Sequence, residues 1–175
     1  MKFVFPCEKY KQKAVEFIQE FYDHNSAING TGGLDRYLQE STYADWLVKV
    51  MHDIDIANIP EGRVPAYTYF YMREEDDKII GMINIRLALN DFLRKEGGHI
   101  GYGIRPTERR KGYATGMLKE ALKFCAVIGL TDVLITCDKK NIASALTIIN
   151  CGGALEEEFY SDVFETDVQR WRVMI

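Results

Sequence analysis

Apolar residues recur at helical spacing early in the chain. Tyr10, Ala14, Phe17, Ile18 and Phe21 stand three or four apart, with Lys and Glu between them, which predicts a helix over about 10–21. Asn25–Gly33 reads Asn-Ser-Ala-Ile-Asn-Gly-Thr-Gly-Gly, a loop. Tyr43, Leu47, Val50, Met51 and Ile54 share one face of a second helix over about 43–54, with Thr42 as its N-cap. Pro60 and Gly62 mark a loop over 58–64. The period then falls to two. Tyr67, Thr68, Tyr69, Phe70 and Tyr71 predict a strand over 66–72, and Glu74–Asp77 a turn. Over 78–89, Ile79, Gly81, Ile83, Ile85, Leu87 and Leu89 fall on one side of a strand, and Met82, Asn84 and Arg86 on the other. These two runs form a β-hairpin, followed by a short turn over 90–98 and a strand over 99–105.

The clearest helical stripe is Ala114, Met117, Leu118, Ala121, Leu122 and Cys125, opening after Gly112 and ending at Gly129. A buried strand, Val133–Cys137, follows. Next come a short helix over 142–150 closed by Gly152-Gly153, and closing strands over 155–161 and 168–175. The chain reads as one domain, 1–175: a helical part over 1–63, a core over 64–160, and a C-terminal strand within 161–175. That strand is apolar and aromatic and could pair across a homodimer.

Composition narrows the class. The 175 residues are 47% hydrophobic and 27% charged, ordinary for a globular chain that buries roughly 70% of its unfolded surface. A net charge of −4 argues against a nucleic-acid partner, since Arg109-Arg110-Lys111 has no second basic cluster beside it. No apolar stretch reaches 18 residues, so no membrane span is expected, and the N-terminal run is too short for a signal peptide. Cys7, Cys125, Cys137 and Cys151 form no CxxC pair, and with His24, His52 and His99 they show no metal-ligand spacing. They read as reduced, packed thiols in a reducing, cytoplasmic setting.

The chemistry concentrates in Ile104-Arg105-Pro106-Thr107-Glu108-Arg109-Arg110-Lys111-Gly112-Tyr113-Ala114-Thr115, where a strand runs into a helix. First-turn amides lack internal partners and add to the positive end of the helix dipole. Gly112 and Ala114 allow close approach, so a phosphate or pyrophosphate is the implied ligand. Neither GxxxxGK[ST] nor GxGxxG is present.

Arg109-x-x-Gly112-x-Ala114, preceded by Ile104-x-Pro106, resembles the acyl-CoA pyrophosphate signature of the GNAT superfamily of N-acetyltransferases. Asn141-x-x-Ser144 with Gly152, and the hairpin with Gly81, resemble that family's other segments; the likeness covers about 64–160. Gly97-Gly98-His99-Ile100-Gly101-Tyr102, with Thr136-Cys137-Asp138, is similar to a bacterial branch of predicted acetyltransferases. The resemblance implies an α+β, α/β/α layered fold, with a mixed, mostly antiparallel central sheet of about six to seven strands flanked by helices. It implies acetyl-CoA as co-substrate, no metal, and acetyl transfer to the primary amine of a small molecule or peptide. Amides from Arg110 to Thr115 (Arg110, Lys111, Gly112, Tyr113, Ala114, Thr115) would hold the pyrophosphate. Ile104, Arg105 and Pro106 would line the pantetheine arm, with the Ile104 backbone meeting the acetyl carbonyl. Asn141 and Ser144 would touch pantetheine or ribose, while Asn141 equally serves as a helix N-cap.

The chain departs from the family where a tyrosine acid is common: Ile148 stands seven residues after Asn141. Cys151, a water or no acid at all remain as thiolate partners. His99 is a candidate base on the strand beside the acyl site, although its parity is opposite to Ile100, Tyr102 and Ile104; a structural role is its alternative. Asn84 and Arg86 face either the acceptor or a solvated sheet surface. A non-catalytic CoA-binding sensor on the same fold is the alternative function.

Overall fold

A computed structural model describes residues 1–175, the side chain of Asn58 excepted. Its centre is the predicted hairpin. β2 (Ala66–Arg73) and β3 (Lys78–Arg86) pair antiparallel, with β1 (Lys2–Val4) outside β2 and β4 (Ile100–Ile104) outside β3. β3 ends at Arg86, short of the predicted Leu89. A second sheet holds β5 (Asp132–Asp138), β7 (Thr166–Met174) and β6 (Ala154–Ser161) in that spatial order, also antiparallel. α1 (Lys11–Asp23), α2 (Leu34–Glu40) and α3 (Tyr43–His52) precede β2, α4 (Tyr113–Val127) links β4 to β5, and α5 (Ile142–Ile149) follows β5. The fold is α+β, with seven strands in two sheets flanked by helices.

Both faces of the first sheet are covered, which is why β3 is buried almost throughout rather than on alternate residues. Ile83 and Ile85 pack with Met117, Leu118 and Ala121 of α4, and Trp171 and Val173 of β7 join that core. On the other face Phe70, Met72 and Met82 pack with Phe17, Ile18 and Phe21 of α1 and Trp46 of α3. Ile79 belongs to this second group, not with Ile83 as the strict alternation predicts. The ladder slips between Tyr71 and Met72, pairing them with Gly81 and Ile79, and the extra residue, Ile80, reverses the parity.

Thr42 caps α3 as expected, accepting from the Asp45 amide at 3.1 Å. The buried face is Tyr43, Trp46 and Val50, whereas Met51 is exposed. The early chain also holds two unpredicted elements. β1 is three residues long, too short to show a period. α2 repeats Leu34, Tyr37 and Leu38 at helical spacing, but over only seven residues.

The predicted turn over 90–98 contains a π-helical segment, Leu93–Gly97. The Asn90 side-chain oxygen accepts from the amide of its first residue, Leu93, at 2.8 Å. The C-terminal strand β7 is the central strand of its sheet, so its backbone has no free edge for a dimer; the edge strands are β5 and β6. No helix among the described residues is long and apolar enough to cross a membrane.

Candidate active site

The two sheets meet at one seam. Gly98 pairs with Ile135, and the His99 amide donates to the Leu134 carbonyl at 2.7 Å. Beyond it β4 and β5 share no ladder, and their separation opens a cleft of about 640 Å³. Ile100, Gly101 and Tyr102 form one wall; Thr136, Cys137 and Asp138, with Asn141 and Ser144, form the other. Ala27, Asn29, Gly30, the π-helical segment and Phe164 contribute to the rest of its lining. Gly30 has φ +74°, and a Cβ there would stand 2.3 Å from the Tyr102 Cα. Only glycine lets this loop lie so close to β4.

His99 serves the seam. It is 8% exposed, and its Nδ1 accepts from the Leu134 amide at 2.9 Å. That bond places the proton of the neutral ring on Nε2, leaving no free lone pair to accept one from a substrate. Burial holds its pKa below the usual histidine value. The residues that line the cleft do not include it.

Past the C-terminal end of β4 the chain forms a short 3-10 turn, Pro106–Glu108, and the loop that opens α4. Arg110 and Gly112 both have positive φ, 62° and 79°. Among the described residues, no protein acceptor takes the amides of 110–115. A Cβ on Gly112 would meet nothing within 4 Å, so the space above is open. The first-turn amides of α4 thus face open space at the positive end of the helix dipole, a geometry open to an anion.

Several predicted ligand side chains point elsewhere. Arg105 is buried; its Nε donates to the Ile79 carbonyl at 2.9 Å and its Nη1 to Glu20 at 2.7 Å. Glu20 also accepts from the Thr107 amide at 2.9 Å, fastening the turn to α1. Arg109 donates to the Ile104 carbonyl at 3.1 Å and lies over the Phe21 ring. It therefore braces the loop from beneath, and it occupies the Ile104 carbonyl. Lys111 is 2.9 Å from Glu108, a buried carboxylate that also binds Arg73 and Lys78. Arg73 first, then Lys111, holds the Glu108 pKa down to about 2. The sequence assigned no role to Glu108 or Glu20, because Arg73, Lys78, Arg105 and Thr107, which they bind, lie 30 to 87 residues away.

Asn141 and Ser144 both reach the cleft, and Asn141 also caps α5, accepting from the Ser144 amide at 3.1 Å. The Tyr102 hydroxyl lies 2.9 Å from Ser144 Oγ, and burial pushes its pKa up to about 12. Ile148 is fully buried, so no proton donor stands at that position. Cys151 is outside the cleft lining; its thiol donates to the Thr115 carbonyl at 3.7 Å, and burial raises its pKa. All four cysteines are free, and Cys7 is exposed rather than packed. Asn84 is buried and donates to Thr68 Oγ1 at 3.1 Å, so it faces neither solvent nor cleft.

Four charged residues line the cleft: Arg86, Glu96, Asp138 and Lys140. Asp138 and Lys140 are exposed, and Asp138 accepts from the Lys140 amide at 2.7 Å and from Thr166 Oγ1 at 3.3 Å. Arg86 lines the cleft as one reading of its strand position allows. Glu96 belongs to the π-helical segment; its side chain is 3% exposed and its Oε2 has no hydrogen-bond partner. Glu96 was missed because Arg94-Lys95-Glu96 reads as a solvated charged run. Among the described residues, no group of three or more His, Cys, Asp or Glu side chains is placed to hold a metal ion.

Comparison with known proteins fits this geometry. The GNAT acetyltransferase domain model matches residues 13–153, so the chain belongs to that family of N-acetyltransferases. No curated protein sequence matches it. Among solved structures it is similar to the microcin self-immunity acetyltransferase MccE, in complex with acetyl-CoA and AMP, with TM-score 0.71, 17% identity, and 99% and 91% of the two chains covered. It is similar to RimL, a ribosomal-protein acetyltransferase in complex with coenzyme A, with TM-score 0.71, 15% identity, and 99% and 93% covered. It is also similar to a spermidine N-acetyltransferase, SpeG, from Vibrio cholerae, with TM-score 0.64, 14% identity, and 99% and 95% covered. At these identities the likeness is one of fold.

Proposed function

We propose that the protein transfers an acetyl group from acetyl-CoA to a primary amine by direct attack in a ternary complex. One observation carries this reading: a single cleft borders the unpaired edge of β4 and holds a buried carboxylate with a free oxygen. The amides of 110–115, beyond the end of that strand, bind the pyrophosphate. Asn141 and Ser144 face the pantetheine arm.

Attack needs a neutral amine held against the thioester. Glu96 is the buried carboxylate of the cleft and takes the amine proton, directly or through one water; the other cleft carboxylate, Asp138, is exposed, and both its oxygens already accept hydrogen bonds. His99 acts instead as a clasp between the sheets. Tyr102 stays protonated and offers a hydrogen-bond donor on the cleft wall. A thiol with a reference pKa of about 8.5 leaves tolerably as thiolate near neutral pH, so no dedicated acid is required. Glu96→Gln keeps size and polarity but cannot accept a proton. It should lower kcat by roughly a hundredfold or more, with acetyl-CoA affinity retained. Unchanged kcat in the folded variant would remove Glu96 from the mechanism.

A further inference from the structure

The two inner charges of the cleft, Arg86 and Glu96, narrow the acceptor; Asp138 and Lys140, which also line it, are exposed to solvent. Arg86 Nη1 donates to the carbonyls of Gly97 and Gly98, at 2.9 Å each. Among the described residues, no acceptor is within hydrogen-bond reach of its Nε or Nη2, and no carboxylate oxygen is within 4.0 Å of the guanidinium. Nη2 lies beside the β4 wall of the cleft: a Cβ built on Gly101, which lines the cleft, would lie 3.4 Å from it. Burial alone depresses this guanidinium's pKa, as expected for a cation without a counter-ion. A partly buried, unpaired charge is unfavourable, and a planar carboxylate across Nε and Nη2 would complete the site.

The complementary group is close by. Glu96 directly precedes Gly97, whose carbonyl holds Arg86, and consecutive Cα atoms are about 3.8 Å apart. Glu96 Oε1 is 3.4 Å from Lys95, while Oε2 is unpartnered. Arg86 Nη1 is held by the two carbonyls, and the guanidinium and Glu96 form no ion pair within 4.0 Å. Phe92 and Phe164, edge to face at 6.4 Å, add an apolar border at the same end of the cleft.

Resting on the acetyl-transfer reading, we propose that the acceptor is an amine carrying a carboxylate a few bonds away, with the amine at Glu96 and the carboxylate on Arg86. A plain alkylamine leaves Arg86 unpaired, and a diamine sets a second cation against it.

The test compares 4-aminobutanoate with butylamine and 1,4-diaminobutane at saturating acetyl-CoA, following release of CoA thiol by the full chain. The amino acid should exceed both matched amines at least tenfold in kcat/KM. Arg86→Gln should shrink that ratio at least tenfold, mostly through KM, with acetyl-CoA affinity within twofold of wild type. Equal or reversed preference in the wild type overturns the proposal. So does a ratio unchanged in Arg86→Gln, or a large loss of acetyl-CoA affinity, which would put the guanidinium on the co-substrate. If Arg86→Gln does not fold, Arg86→Lys keeps a point charge without the fork; it should give an intermediate ratio, and an unchanged ratio overturns the proposal. If acetyl-CoA binds but no amine is acetylated, the transfer reading fails separately. Calorimetry of 4-aminobutanoate against butylamine on the CoA-bound protein then decides, equal affinities overturning the carboxylate assignment.

Discussion

Replacing His99 with leucine separates a clasp from a base. The substitution keeps approximate volume and removes Nδ1, the acceptor for the Leu134 amide at 2.9 Å. A buried amide left without a partner costs about 1–3 kcal/mol. For a chain of this size that lowers Tm by roughly 2–12 °C. The pH dependence has a defined sign. Burial depresses the His99 pKa from its ordinary 6.5, so the fold prefers the neutral ring. That preference contributes fully above the unfolded value and is lost as pH falls below about 6.5 toward the folded value. The Tm gap between wild type and His99→Leu should therefore be widest near pH 7.5 and shrink toward pH 5. Differential scanning calorimetry across that range reads it. On the same preparations, folded His99→Leu should keep the pH profile of kcat/KM. A variant with wild-type Tm at pH 7.5, kcat/KM reduced a hundredfold and its low-pH limb gone would refute the clasp and restore His99 as base.

Other consequences are as direct. Gly112→Val meets open space, so in the free protein its cost is the left-handed backbone, about 1–2 kcal/mol. Acetyl-CoA affinity by calorimetry should fall at least tenfold, about 1.4 kcal/mol; near-normal affinity would remove the pyrophosphate site. Glu108, held down to about 2 by Arg73, contributes stability above its unfolded value near 4.5 that is lost as pH falls toward 2. Glu108→Gln should start at a lower Tm at pH 7 and lose less between pH 5 and 2; parallel curves would show that the cluster is idle. Cys151→Ala should lower kcat less than about tenfold, because its thiol bonds the Thr115 carbonyl outside the cleft; a hundredfold loss with folding intact would make it the proton donor.

How far the sequence could be read follows from the range of each interaction. The α4 stripe from Ala114 to Cys125 and the loop before it were legible because their spacing is local and each signal repeats. The strict alternation of β3 failed at Ile79, since a one-residue slip opposite Tyr71 and Met72 leaves no local mark. The spacing places Met51 on the buried face of α3 and leaves Trp46 off it because the helix is apolar around more than one face, and tertiary packing, Trp46 on Phe70 included, selects the buried side. Arg109 was legible as a loop residue, yet its inward turn depends on Ser26 and Phe21, some 80 residues earlier. Glu96 was the hardest. Its charged neighbours resemble a solvated turn, and its burial follows from the π-helical segment docking on β5, where Thr136 Oγ1 donates to the Glu96 carbonyl at 2.9 Å.

The central claim, direct transfer in one ternary complex, is tested most directly by initial rates with acetyl-CoA and an accepted amine varied together, alongside intact-protein mass spectrometry. Direct attack predicts intersecting double-reciprocal lines, CoA and acetylated amine formed in equal amounts, and no acetyl group on the protein. Parallel lines with an acetylated enzyme, on Cys151 or elsewhere, would contradict it and make the reaction a two-step exchange.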